Sequence, residues 1–89
     1  MSRLFVIEDE LHAEPQGEYN TLAEALAELE RRATLPWGQE PNQCPCTSWR
    51  TCRRRYEIIE YDDSSRPWRQ LGRTPYLEVS AEGVKWLNA

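Results

Sequence analysis

The apolar residues of this chain repeat with a helical period in one segment. Between Asn20 and Ala33 they recur at every third or fourth position, which is the spacing of one helical face. The residues that follow this spacing are Leu22, Ala25, Leu26, Leu29 and Ala33. Thr21 followed by Glu24 is a capping-box pattern, and Pro36 prevents the helix from continuing. The pattern predicts a helix over about residues 21–33 that packs on a sheet through its leucines.

Shorter segments have the composition or the alternation of β-strands. Leu4–Ile7 is a continuous apolar run and predicts an internal strand, because both of its faces are apolar. The other predicted strands are Tyr56–Tyr61, Trp68–Leu71 broken by Gly72 and Pro75, and a hairpin of Tyr76–Ser80 with Val84–Leu87 that turns at Gly83. Leu11–Tyr19 contains Pro15 and Gly17, which indicates a loop or an irregular edge segment.

A long segment between the helix and the second strand has no period of either kind. Residues 34–54 contain three prolines and one glycine, which predicts a long irregular loop. Trp37 and Trp49 argue against disorder, since aromatic residues are scarce in disordered segments. We expect these two rings to pin the loop. The sequence therefore predicts one small α+β domain over residues 1–89, with a mostly antiparallel sheet of about four strands and the helix packed on one face.

Charge is distributed unevenly along the 89 residues. Residues 1–40 contain nine acids and three bases, which makes −6, whereas residues 41–89 contain six acids and eight bases, which makes +2. The sum is the net charge of −4. Such a dipolar chain suggests a protein partner, or self-association as a homodimer, more than a free nucleic-acid binder. An odd number of cysteines fits a reducing compartment, so we expect a cytoplasmic protein. No apolar run in the sequence is long enough to span a bilayer, so we expect no membrane contact.

The three cysteines are the first candidates for chemistry. Cys44, Cys46 and Cys52 have C-x-C-x5-C spacing, and with His12 they could assemble a zinc site. The spacing lacks a C-x-x-C knuckle, so this is a weak alternative to the expectation of no metal and no cofactor. A reactive thiolate at Cys52, favoured by the neighbouring arginines, is another weak alternative. Motifs for other catalytic chemistry are absent from the sequence, and we expect no enzyme.

A basic cluster directly precedes the second predicted strand. Arg50, Arg53, Arg54 and Arg55 lie between Trp49 and Tyr56. Guanidinium groups interleaved with aromatic rings could follow a phosphate backbone and stack on bases, which makes RNA binding the alternative function. The acidic pI of about 5.0 opposes it. In the competing interpretation these arginines pair with the acidic first part of the chain.

Tryptophans beside arginine or proline form the third candidate site. Trp37, Trp49 and Trp68 lie in predicted loops, and tryptophan with arginine is typical of interface hot spots. They could equally extend a small core. The sequence predicts a small non-enzymatic binding module whose partner surface joins the 36–55 loop to Trp68 and Arg69.

Three segments together resemble a known group of proteins. The runs Cys46–Cys52, Tyr56–Tyr61 and Val79–Trp86, with the Thr-Leu-Ala-Glu-Ala-Leu opening of the helix, are similar to short uncharacterised alphaproteobacterial proteins. The resemblance implies a cytoplasmic bacterial domain of unknown function and transfers no catalytic residue. It also marks Cys44 as an addition of this chain, which weakens the zinc alternative.

Overall fold

An antiparallel sheet and one helix form the described part of the chain. The computed structural model describes residues 3–11, 13–37, 39–40, 42 and 52–87. The elements are β1 (Arg3–Asp9), β2 (Glu14–Tyr19), α1 (Leu22–Ala33), β3 (Arg53–Asp62), β4 (Arg69–Ser80) and β5 (Gly83–Trp86). The strand order is β2-β1-β3-β4-β5, and every neighbouring pair is antiparallel. The predicted α+β class is confirmed, with five strands where about four were expected.

The fifth strand is β2, in a segment predicted to be a loop or an irregular edge. It pairs with β1 at one edge of the sheet, and the pairing shifts by one residue between Ile7 and Glu8. An edge position tolerates Pro15, whose missing N–H can face away from the neighbouring strand. Gly17 has φ +150°, and a Cβ there would lie 3.0 Å from Tyr19 Oη. Because proline and glycine break the alternation, the sequence pattern hides this strand.

Strand β4 joins two segments that the sequence separates. Trp68–Leu71 and Tyr76–Ser80 were predicted as different strands, whereas β4 runs without interruption through Gly72 and Pro75. Two shifts of register against β3 absorb the irregularity. Since β5 pairs only with Leu77–Ser80, the proline lies where β4 forms an edge. The predicted hairpin itself is confirmed, with Leu77 opposite Trp86 and Val79 opposite Val84.

The helix has the predicted cap and most of the predicted buried face. The Glu24 N–H donates to Thr21 Oγ1 over 3.1 Å. Ala25 and Leu29 are fully buried, and Leu26 is half-buried. Leu22 was expected in this face but is 39% exposed, because it is the first residue of the helix, at the end of the packed face.

The core lies between the helix and one face of the sheet. It consists of the buried residues Ile7, Ala25, Leu29, Tyr56, Ile58, Leu77 and Val79. Trp37 packs against this core and is partly buried, as expected for a ring that pins the loop. The predicted loop ends at Cys52 rather than at residue 54, because β3 begins at Arg53.

A buried amide also attaches the loop to the helix. Asn42 is fully buried. Its Nδ2 donates to the Arg32 carbonyl over 2.8 Å, and its Oδ1 accepts from the Tyr56 hydroxyl over 3.0 Å. Asn42 therefore satisfies a carbonyl at the helix C-terminus and links it to the sheet. Trp49, the other ring expected to pin the loop, lies outside the described residues.

Candidate functional site

The sheet has a second face, opposite the helix, which we call the open face. Residues that face each other across β1 and β3 point to the same side of the sheet. Ile7 and Ile58 form such a pair on the helix side. The pairs Leu4–Tyr61, Val6–Ile59 and Glu8–Glu57 alternate with them and therefore lie on the open face.

A cavity of about 380 Å³, the open-face pocket, lies on this side of the sheet. Its volume is within the range of ligand pockets, about 300–1,000 Å³. The lining residues are Val6, Glu8, Pro15, Glu18, Ile59, Tyr61, Arg66, Pro67 and Trp68. They come from β1, β2, β3 and the connection between β3 and β4. Two parts of the chain that are distant in sequence, residues 6–18 and 59–68, thus converge on one concavity.

The floor of the open-face pocket is apolar, and one wall is aromatic. Ile59 is only 1% exposed and Val6 is buried, although the helix lies on the other face. The Trp68 and Tyr61 rings lie with centroids 5.7 Å apart and planes inclined by 55°. This tilted arrangement is favourable for aromatic pairs. Both rings belong to residues that line the pocket.

Two carboxylates flank the apolar floor. Glu18 is directly opposite Val6 in the β1–β2 pairing, and Glu8 is two residues further along β1 on the same face. Glu18 is exposed and makes no ion pair with any described residue. Glu8 Oε2 lies 3.5 Å from Arg73 Nη2, a long contact. This side of the pocket therefore has acidic character.

Glu57 is opposite Glu8 in the β1–β3 pairing and does not line the pocket. Its side chain is 1% exposed, and Arg73 Nη1 lies 2.8 Å from its Oε1. The orientation of the two groups gives no hydrogen bond, so Oε1 accepts none within the described part of the chain. Burial is the main cause that raises the pKa of Glu57 to about 7. Arg73 lowers this pKa, while a hydrogen bond with Glu8 and the charges of Glu8 and Glu10 raise it.

The described arginines of the basic cluster are paired with acids. Arg54 Nη1 lies 3.0 Å from Asp9 Oδ2 in a buried pair and 3.3 Å from Glu14 Oε1. Arg55 contacts Glu78 at 3.1 Å and Glu10 at 3.7 Å. Arg53 contacts Glu78 at 3.5 Å. Because consecutive strand residues alternate in direction, Arg54 lies on the helix side while its two neighbours lie on the open face. Arg50 lies outside the described residues.

The predicted partner residues lie on different sides of the sheet. Trp68 lines the open-face pocket, and the exposed Arg69 beside it approaches Asp62 at 3.6 Å. Trp37 packs against the core on the helix side. The structure therefore does not bring Trp37 and Trp68 together.

Cys52 is the cysteine that the structure describes. It is buried, and its Sγ lies 3.9 Å from the Arg53 carbonyl oxygen. Cys44, Cys46 and His12, the other members of the alternative zinc set, lie outside the described residues. Among the residues that are described, no group of three or more histidine, cysteine or acidic side chains could hold a metal ion.

Comparison with known proteins leaves the site to be interpreted from its own chemistry. No family model, curated protein or solved structure matches the chain. The resemblance to short alphaproteobacterial proteins stays a prediction. Over the described ranges, no helix is long and apolar enough to cross a lipid bilayer.

Sequence reasoning missed the acidic side of the pocket. The alternation that places Glu57, Ile59 and Tyr61 on one face is visible in the sequence. Their association with Glu8 and Glu18 depends on the register of β1 against two other strands, which alternation does not determine. The one available signal was the acidic residues directly after the apolar run of β1.

Proposed function

We propose that the chain is a small non-enzymatic binding module whose partner contacts the open-face pocket. The observation that carries the proposal is a concavity with a buried apolar floor and an aromatic wall on the side of the sheet opposite the helix. Exposed aromatic residues around an apolar centre are the usual anchors of binding sites. Trp68, one of the predicted partner residues, lines this pocket.

The composition of the lining supports binding rather than catalysis. Its described residues include no serine, threonine, cysteine, histidine or lysine, so Glu8, Glu18 and Tyr61 are the side chains of the lining that could act as nucleophiles. The carboxyl with the raised pKa belongs to Glu57, which is buried and lies 2.8 Å from Arg73 Nη1. A general base must reach the proton that it removes, and Glu57 is not in the lining.

RNA binding through Arg50–Arg55 is the alternative, and the ion pairs count against it. Arg53, Arg54 and Arg55 each have acidic partners within 3.5 Å. A phosphate would have to replace these carboxylates, so part of the electrostatic gain from counterion release would be lost. A protein partner and a cytoplasmic location are parts of the same proposal, supported by the odd number of cysteines and by the acidic net charge.

Affinity capture from native cells with two tryptophan variants tests the proposal. Trp68→Ala removes the wall of the pocket. Trp86→Ala removes a ring that is 42% exposed on β5, outside the pocket, and is the matched control. We expect the wild type and Trp86→Ala to retain the same nuclease-resistant protein partner, and Trp68→Ala to lose it. Equal capture by all three proteins would contradict the proposal, and a nuclease-sensitive RNA partner would favour the alternative.

A further inference from the structure

We propose that the open-face pocket binds the side chain of a lysine or arginine on a partner polypeptide. This inference rests on the proposed function and names the chemistry of the ligand. Its basis is the combination, in one concavity, of an apolar floor, an aromatic pair and two flanking carboxylates. No one of these features would suffice alone.

The shape of the pocket matches an amphipathic side chain. Lysine and arginine have an apolar stem that packs on hydrophobic surface and a charged head that stays polar. Pro15 and Pro67, which are exposed, supply hydrophobic surface above the buried Val6 and Ile59. Tyr61 and Trp68 supply aromatic surface at the β3 end, on which the apolar stem packs.

The charges of the lining favour a cation over an anion. Glu8 and Glu18 outnumber the one basic residue of the lining, Arg66. Glu18 makes no ion pair within the described residues, so its carboxylate is available to a ligand. Glu8 has one long contact to Arg73, which it shares with Glu57. A charge-assisted hydrogen bond from an ammonium or guanidinium group to Glu18 would therefore cost no existing pair.

The mutual position of these groups gives the ligand a direction. Glu18 is opposite Val6 across the β1–β2 pairing, and Val6 is opposite Ile59 across the β1–β3 pairing. A row across three strands thus runs from a carboxylate over two apolar side chains, with Tyr61 and Trp68 at the β3 end. We expect the head of the bound side chain to lie at the β2 edge.

A titration of the ¹⁵N-labelled chain with blocked peptides tests the inference. The probe is the peptide Gly-Ser-Gly-Lys-Gly-Ser-Gly, and its matched controls replace lysine with norleucine or with glutamate. The readouts are the chemical shift of the Trp68 indole N–H and the dissociation constant. We expect the lysine peptide to bind with a Kd of about 0.1–10 mM and about two- to five-fold more tightly than the norleucine peptide, the gain of one exposed ion pair.

Two charge-removing variants separate a local carboxylate from the general field of the protein. Glu18→Gln should weaken the binding of the lysine peptide several-fold and leave the binding of the norleucine peptide unchanged. Glu30→Gln removes the same charge from the exposed side of the helix and should change neither. Both substitutions are at exposed positions, so the fold should be retained.

The outcomes distinguish the inference from the proposed function. If the norleucine and lysine peptides bind equally at Trp68, the pocket does not recognise a cationic side chain, although it remains a binding site. If the glutamate peptide binds most tightly, the pocket recognises an anionic side chain instead, with Arg66 as its partner. If no peptide moves the Trp68 signal, both the inference and the pocket as a site for peptide side chains are wrong.

Discussion

The Glu57 side chain is buried among charged neighbours on the two adjacent strands. It is opposite Glu8 in the β1–β3 pairing, and both carboxyls share Arg73. Like charges placed directly opposite destabilise a sheet, and one shared proton relieves the repulsion. Burial and this pairing raise the pKa of Glu57 to about 7, above the ordinary value near 4.5.

The raised pKa predicts that the protein loses stability as pH rises. In the folded state Glu57 keeps its proton up to about pH 7, whereas in the unfolded chain it loses the proton near pH 4.5. The folded state therefore binds more protons between these values, and the free energy of unfolding falls across that interval. We expect Glu57→Gln to remove this fall and to stabilise the protein at pH 8 by about 1–3 kcal/mol.

Urea unfolding at pH 5 and pH 8 measures the effect. Glu30→Gln, at an exposed helix position, is the control and should keep the pH dependence of the wild type. If the wild type and Glu57→Gln lose the same stability between the two pH values, Glu57 does not hold a proton in the folded state.

Helix α1 is the element that the sequence predicts best, since its signals are local. The Thr21 cap and the apolar spacing both act over one or two turns of the helix, so neither depends on a distant part of the chain. The strands were harder, because Pro15 and Gly17 hide β2 and Pro75 divides β4 in the sequence pattern. Edge positions and register shifts tolerate these residues, but only the neighbouring strand reveals where the shifts occur.

The burial of the helix predicts different costs for the same substitution at two leucines. Leu29→Ala should lower the free energy of unfolding by about 2–5 kcal/mol, because it leaves a cavity in the core. Leu22→Ala, at a position that is 39% exposed, should cost less than about 1 kcal/mol. Thermal or urea unfolding compares the two, and equal destabilisation would mean that the helix packs on a different face.

At the scale of the whole molecule, ion pairs connect distant parts of the chain. Arg54 of β3 joins Asp9 and Glu14, and Arg73 of β4 joins Glu8 and Glu57. Of the two interpretations of the basic cluster, these contacts agree with the one in which the arginines pair with the acidic first part of the chain. Arg53 and Arg55 also contact Glu78, in the second part, a pairing that the uneven charge distribution did not indicate.

These ion pairs predict weak binding of nucleic acid. Titration of labelled single-stranded RNA should give little binding even at low salt, because the net charge of −4 opposes the phosphates and the described cluster arginines are paired. Four phosphate contacts would instead give a log–log salt slope of about −3. Micromolar binding with such a slope, lost in an Arg53→Gln/Arg55→Gln variant, would make RNA the leading function.

The central claim is that a partner contacts the open-face pocket, and mapping the contact by NMR tests it most directly. The ¹⁵N-labelled chain is titrated with the protein captured by the wild type, and amide shifts are recorded for both faces of the sheet. We predict the largest changes at Val6, Glu18, Ile59, Tyr61 and Trp68, which line the pocket. Changes confined to the exposed side of α1 or to β5, with the pocket residues unmoved, would contradict the account.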